Sequence, residues 1–459
     1  MKRTALLLFS LTLLGFSCGG GSSTSTNSVD AQNLWTWMSG SSTVDNLGVY
    51  GPELLAVPGG RDESISWVDA AGNLWLFGGS GMDDNGQFPG VLNDLWRFDG
   101  TYWTWVSGSS RTFSPNPYGV YGTMGSPASS NIPGGRSESI SWLDLDGNMW
   151  LFGGNGLDEF SRAGYLNDLW RFDGTYWTWM SGSSTHSAPG VYGTMGSPAS
   201  SNVPGGRYQS ISWVDPDGDL WLFGGYGDDE SGGNSLLNDL WRFDGTYWTW
   251  MSGSKTIDSP AFYGTKGSPA ASNVPGARHQ SVSWVDANGY LWLFGGSGRD
   301  EAGSYGYLND LWRFDGTYWT WMSGSKIQYE HGVYGTKGYP DSANIPGARF
   351  RSISWVDPDG DLWLFGGAGQ DGSGGNGRLN DLWRFDGAYW TWVSGSNTID
   401  SLSEYGTMGS PATSNVPGAR TSGISWVGPD GYLWLFGGAG NGESGGSGYL
   451  NDLWRYSPE

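Results

Sequence analysis

Hydrophobic and polar positions alternate over short stretches, and the same stretches return along the chain. In Ser-Ile-Ser-Trp-Val-Asp (64–69) the serines share one face, while Ile65 and Trp67 share the other, the two-residue period of a strand. Asn-Leu-Trp-Leu-Phe-Gly-Gly (73–79) follows after a short Asp-Ala-Ala-Gly turn. Asn-Asp-Leu-Trp-Arg-Phe-Asp (93–99) and Thr-Tyr-Trp-Thr-Trp-Val (101–106) come next, joined by Asp99-Gly100, a strong hairpin signal. Each unit therefore predicts four short strands. Strands with apolar groups on both faces need neighbours on both faces, and radial stacking of sheets supplies them.

The unit recurs six times. Phe-Gly-Gly begins at 77, 152, 223, 294, 365 and 436, with a spacing of 75 and then 71 residues. All 30 Trp fall within the repeated motifs, so none marks a unique site. The chain opens on a fourth strand, Asn-Leu-Trp-Thr-Trp-Met from Asn33, and ends on a third, Asn-Asp-Leu-Trp-Arg-Tyr from Asn451. The amino-terminal strand is thus expected to complete the last blade and close the ring, which leaves no free edge between the ends. The predicted fold is all-β: a six-bladed β-propeller of four antiparallel strands per blade over residues 33–459.

The pattern Arg-x-x-Ser-x-Ser-Trp-x-Asp-x-x-Gly-x-Leu-Trp-Leu-Phe-Gly-Gly, then Asn-Asp-Leu-Trp-Arg-Phe-Asp and a further Trp, resembles the kelch-repeat propeller family, which includes the central domain of galactose oxidase. The resemblance covers residues 33–456. The unit departs from it in length, 71 residues against a usual period of about 50. The excess lies between strand four and the next strand one, in Tyr-Gly-Thr-Met-Gly-Ser-Pro-Ala-Ser-Ser-Asn (121–131) and its copies.

Composition narrows the class further. With 80 Gly and 21 Pro, long helices are excluded; 30 Trp, 23 Tyr and 18 Phe exclude disorder. A net charge of −22 argues against nucleic acid and against adsorption to anionic lipid. Residues 1–17, a basic start and an apolar run, read as a secretory signal peptide too short to span a bilayer. Cys18, the one cysteine, followed by Gly and Ser, resembles a bacterial lipoprotein signal, although Gly15 stands where that family favours Leu. The resemblance implies lipid attachment at Cys18 and a place in the bacterial envelope, at the outer membrane or cell surface. An unlipidated Cys18 would leave the protein secreted. Residues 18–32 form a flexible Gly/Ser/Thr tether.

Strand parity puts the one–two and three–four turns on one end of the propeller and the long two–three and four–one loops on the other. The long loops also differ most between copies, which suits a recognition surface for an envelope or extracellular protein or a glycan; drift of surface loops is the alternative. Sharper candidates follow the repeated Arg that opens strand one: Asp62-Glu63, Ser137-Glu138, Tyr208-Gln209, His279-Gln280, Phe350-Arg351 and Thr421-Ser422. They break the sixfold sameness, as a single site must. From them Asp62, Glu63, Glu138, Tyr208, Gln209, His279, Gln280, Phe350 and Arg351 are expected to bind a ligand at the channel mouth; six unrelated solvated positions are the alternative. The Arg set itself (Arg61, Arg136, Arg207, Arg278, Arg349, Arg420) is expected to pair with an Asp of the neighbouring turn, or else to ring the channel and hold an anion.

No metal or cofactor is expected. Gly-Gly-x-Gly-x-Asp after strand two, with Asp83, Asp158, Asp229, Asp300 and Asp371, resembles a calcium nonapeptide. The copies stand at least 71 residues apart rather than in tandem, so an Asx-turn is the simpler reading and a loop-bound Ca²⁺ the alternative. The copper site of galactose oxidase needs a Cys-linked Tyr and His ligands. Cys18 lies in the export signal, and His186, His279 and His331 occupy non-equivalent places, which argues against that oxidase activity. A metal-free sugar-ring enzyme of the sialate mutarotase or epimerase kind needs only placed acid and base groups, such as Glu63, Glu138, His279 and Arg351. Three functions stand: a binding module, with no catalytic residue assigned; such an enzyme; or a passive envelope or matrix scaffold.

Overall fold

The computed structural model describes residues 32–52, 55–86, 89–112 and 118–458. Residues 1–31, with the expected signal peptide, Cys18 and most of the expected tether, lie outside the described residues. All regular structure among the described residues is β, in six sheets. The chain is a six-bladed propeller. Strand β1 (Leu34–Ser39) pairs antiparallel with the last strand, Trp35 opposite Tyr456 and Trp37 opposite Trp454, so the amino-terminal strand completes blade 6 as the order of motifs predicts.

Blade 1 shows the unit. Its first strand is broken into β2 (Arg61–Asp62) and β3 (Ile65–Val68), both paired with β4 (Leu74–Gly81). β5 (Gly90–Phe98) and β6 (Trp103–Ser107) follow outward. The break was not legible in the alternation, because Ile65 and Trp67 face inward as a continuous strand would place them. The Gly-Gly doublet forms a bulge in β4. Gly78 has φ +64°, and a Cβ there would meet the Arg136 and Leu92 carbonyls at 2.8 and 2.9 Å, so the next blade packs on bare backbone.

The apolar core lies between blades rather than within one. Ile65, Trp67 and Phe77 of blade 1 pack on Leu151, Trp170 and Phe172 of blade 2. Trp67 Nε1 also donates to the Trp142 carbonyl of blade 2 at 2.9 Å. The serines of strand one line the channel and join neighbours, as Ser212 Oγ donates to the Ser141 carbonyl at 3.2 Å.

The repeated arginines do not hold an anion, nor pair with the turns. Arg61 forms a bidentate pair with Asp94 of Asn-Asp-Leu-Trp in β5, both bonds 2.8 Å, and its remaining donors reach the Gly59 and Gly78 carbonyls. Tyr50 Oη and Trp96 Nε1 donate to the same carboxylate. Arg136–Asp168, Arg207–Asp239, Arg278–Asp310, Arg349–Asp381 and Arg420–Asp452 repeat the pair, with side chains 0–1% exposed. The turn Asp is used otherwise: Asp69 accepts from Trp75 Nε1. A charge pair this deeply buried holds its place because each guanidinium nitrogen and each carboxylate oxygen has a partner.

The extra length of the repeat has a structural role. In blade 2, residues 123–131 run along the outer edge strand Trp177–Ser181. Gly125 N–H donates to the Trp179 carbonyl at 2.8 Å and Asn131 Nδ2 to the Trp177 carbonyl at 3.0 Å. The strap satisfies an edge that would otherwise stand open. Blades 3 to 6 have the same strap, with Asn202, Asn273, Asn344 and Asn415.

Candidate functional site at the channel mouth

The break in strand one creates the site. At each break one residue has left-handed backbone: Glu63, Glu138, Gln209, Gln280, Arg351 and Ser422, with φ between 55° and 61°. None is Gly, so each carries a cost of about 1 kcal/mol or more in backbone strain. Left-handed geometry withdraws the amide from its own sheet and offers it to the preceding blade. Glu138 N–H donates to the Glu63 carbonyl, Gln209 to Glu138, Gln280 to Gln209, Arg351 to Gln280, Ser422 to Arg351 and Glu63 to Ser422, at 2.9–3.1 Å. Six backbone hydrogen bonds thus run in one direction around the channel. This belt offsets part of the strain and brings six side chains of four kinds around one axis.

Those side chains meet. Arg351 Nη2 lies 2.9 Å from Glu63 Oε1 and 3.1 Å from Glu138 Oε1, reaching across from blade 5 to blades 1 and 2. Gln209 Nε2 donates to Glu138 Oε1. The Gln280 amide oxygen accepts from Arg351 Nε at 2.5 Å, in the orientation that satisfies both partners. His279 Nδ1 lies 2.5 Å from Gln209 Oε1; an amide oxygen only accepts, so Nδ1 carries the hydrogen and Nε2 keeps its lone pair. The belt residues, with the serine that follows each of the first five, line a cavity of 210 Å³.

The first members of the sequence pairs lie one step outward, at the blade junctions. Tyr208 packs against Tyr165 of blade 2 with ring centroids 4.9 Å apart and planes tilted by 32°, and lies 5.4 Å from Tyr226. Phe350 packs against Tyr307 of blade 4, with ring centroids 4.6 Å apart and planes tilted by 38°. Asp62 is buried at the junction of blades 6 and 1. Of the nine expected ligand residues, five line the cavity, His279 joins it through Gln209, and Asp62, Tyr208 and Phe350 lie outside the lining. Ser422 completes the belt. Sequence reasoning did not single out the aromatic partners Tyr165, Tyr226 and Tyr307. A signal for two of them was present: the position two before each Asn-Asp-Leu-Trp reads Val91, Tyr165, Leu236, Tyr307, Arg378 and Tyr449, as varied as the mouth itself.

Electrostatics set protonation at the mouth. Three carboxyls, Asp62, Glu63 and Glu138, face one belt cation, Arg351. Burial, with Glu63 beside it, pushes Glu138 up to about 10 against the pull of Arg351. Burial and Glu63 likewise raise Asp62 to about 8. Burial, and secondarily Arg351, lowers His279 to about 4. At neutral pH burial therefore favours protonated carboxyls at Glu138 and Asp62 and a neutral imidazole at His279, so the polar groups of the mouth include both donors and acceptors.

Among the described residues no group of three or more His, Cys, Asp or Glu is placed to hold a metal ion. The repeated loop aspartates are already engaged: Asp229 Oδ1 accepts from the Ser231 and Gly233 amides and Asp83 Oδ1 from Asn85 and Gly86. They are Asx-turns, and Asp158 additionally meets His186 Nδ1 at 2.9 Å.

No protein-family model and no curated protein matches the chain. The solved structure of YjhT shares the fold, with a TM-score of 0.50 and 13% identity over 88% of this chain and 96% of its own. A copper-bound fungal alcohol oxidase of the AA5 family covers 90% of this chain and 77% of its own at 15% identity, with a TM-score of 0.44. At such identities the likeness to YjhT carries the propeller fold and not a function.

Proposed function

We propose that the protein is an exported module, lipid-anchored to the bacterial envelope through Cys18, that binds a glycan at the channel mouth of its long-loop face. One observation carries this reading: a compact network of carboxyl, amide and guanidinium groups lies at the mouth, with the tilted ring pairs Tyr165–Tyr208 and Tyr307–Phe350 outside it, next in sequence to belt residues Gln209 and Arg351. Hydroxyl-rich ligands need paired donors and acceptors, and sugar rings offer C–H faces that suit aromatic surfaces. The fold supplies the rigid frame on which such a site keeps its geometry.

A second reading is favoured by a specific feature. Glu138 as a proton donor and His279 as a neutral acceptor, joined through Gln209, suit sugar-ring chemistry that moves protons without a metal. One experiment addresses both. Residues 19–459, without Cys18, are applied to a glycan array with and without Ca²⁺, and any sugar bound is then followed by NMR for exchange between its anomers. Saturable binding to one sugar class, lost in Glu138→Ala and Arg351→Ala, is the expected result. Accelerated anomer exchange, abolished in Glu138→Gln while binding persists, would establish the enzyme instead. No binding in either condition, or binding untouched by both alanine variants, would overturn the glycan reading.

A further inference from the structure

Two long loops of blade 4 carry tyrosines where the other copies carry small or polar residues. Tyr305 stands four residues before Asn-Asp-Leu-Trp, a place that holds Pro, Ala, Asn or Ser in the other five blades. Tyr329 stands in the loop that leaves strand four, and its amide donates to the Tyr307 carbonyl at 2.8 Å. Asp45, Ser187, Asp258 and Asp400 make the same bond in their own blades. All five have left-handed backbone, with φ between 55° and 63°. Asp tolerates that geometry because its short carboxylate bonds to nearby backbone: Asp45 Oδ1 accepts from the Tyr449 amide and Asp400 Oδ1 from the Arg378 amide. A tyrosine gains no such bond, and its bulk is strained there.

Both rings are nevertheless fixed. Gly306 lies against Tyr329, so close that a Cβ on it would meet Cε2 of the ring at 2.7 Å. The same ring meets Tyr307 edge-on, with centroids 5.1 Å apart, and Tyr307 packs in turn on Phe350, the neighbour of belt residue Arg351. Tyr305 is held at its hydroxyl, which accepts from Ser297 Oγ at 2.8 Å, and the Arg299 guanidinium lies over its ring at 5.7 Å. Held in this way, Tyr305 remains 49% and Tyr329 43% exposed. Two aromatic rings are thus kept in water at fixed places, one of them on strained backbone, and neither fills the core.

We propose that Tyr305 and Tyr329 form an extension subsite, and that the ligand is an oligosaccharide of rings with equatorial substituents, as in fragments of cellulose or chitin. The proposal rests on the glycan reading of the mouth. Sites that enclose a drug-sized ligand run to roughly 300–1,000 Å³. The belt cavity has 210 Å³, so it takes one sugar ring, and a longer chain has to leave it. Phe350, Tyr307 and Tyr329 mark a continuous aromatic path outward from Arg351. Equatorial substituents leave axial C–H bonds on both faces of a sugar ring. An exposed tyrosine matches that apolar face with its own ring and the sugar hydroxyls with its hydroxyl.

The probes are cello- and chito-oligosaccharides, each from the single sugar to the tetramer, titrated into residues 19–459 and followed by NMR so that millimolar binding is measurable. Affinity is expected to rise about tenfold from single sugar to trimer in one series, which then identifies the ring substituent. Tyr329→Asp and Tyr305→Asn copy the blade 3 residues Asp258 and Asn234. Each should remove that gain, leave the affinity for the single sugar unchanged and keep the melting temperature, which Tyr329→Asp should even raise. Binding that ignores chain length, or a gain that both variants retain, would overturn the proposal and leave the glycan reading standing. Should neither series bind, the proposal falls; another sugar class bound on a glycan array would then keep the glycan reading, and an empty array would remove both. A dimer in sedimentation that Tyr329→Asp abolishes would give the rings to a second copy and overturn the proposal as well.

Discussion

The interior of each blade and the mouth of the channel are built from the same six copies, yet they solve opposite problems. Inside the blade the side chains do the holding: the Arg–Asp pair, the Tyr hydroxyl and the Trp ring are the same in every copy, because each atom of the node satisfies another. At the mouth the backbone does the holding. The belt uses only main-chain N–H and C=O groups, so the side chain is free to be Glu, Gln, Arg or Ser without disturbing the geometry. Repetition of the sequence is a requirement in the first region and a freedom in the second. A site that needs unlike groups converging on one point can arise only where the backbone alone secures the fold.

The contrast can be broken most forcefully in a blade. Asp239→Ala leaves Arg207 buried without its partner and is expected to cost about 3–5 kcal/mol, as a shift of the urea midpoint with unchanged slope. A loss below about 1 kcal/mol would show that the node is not what secures the blade.

A smaller effect is expected from pH. Glu138 binds its proton more tightly in the folded chain than in the unfolded one, where its value is 4.5. Its contribution is therefore fully present below about pH 4.5 and is lost as pH rises toward 10. Asp62 acts in the same direction up to about 8. His279 has the opposite sign, but only between about 4 and 6.5. Between pH 7 and pH 9 the native protein should lose stability, and Glu138→Gln should lose less; parallel curves would place the proton elsewhere.

Ser422→Gly should give the smallest change. Gly adopts left-handed backbone without strain, so the variant is expected to gain up to about 1 kcal/mol with the belt intact. Destabilisation would mean that the belt depends on its side chains after all.

Much of this was legible before any coordinates. The blade count follows from six copies of each motif, the closure from an unpaired fourth strand at one end and third strand at the other, and the hairpins from Asp-Gly. The site was legible in part, as the pairs from Asp62-Glu63 to Thr421-Ser422 stand out where all else repeats. What each pair member does was not legible. Glu138 enters the channel and Ser137 does not, because one φ angle at the break in strand one separates them, and the alternation of Ile and Trp runs through that break unmarked. The partner of the repeated Arg was assigned to the adjacent turn, whereas pairing across the sheet brings Asp94 to Arg61 from 33 positions away.

By itself, then, the sequence determined whatever depends on neighbours in the chain: strand period, turn chemistry, the number and order of the units, and the positions at which the copies differ. Only the closed ring decided which of those differing positions meet. Arg351 and Glu138 stand 213 residues apart, and no local preference relates them. They touch because six blades, each packed on the next, turn the chain through a full circle and bring opposite blades within a side chain's length of one axis.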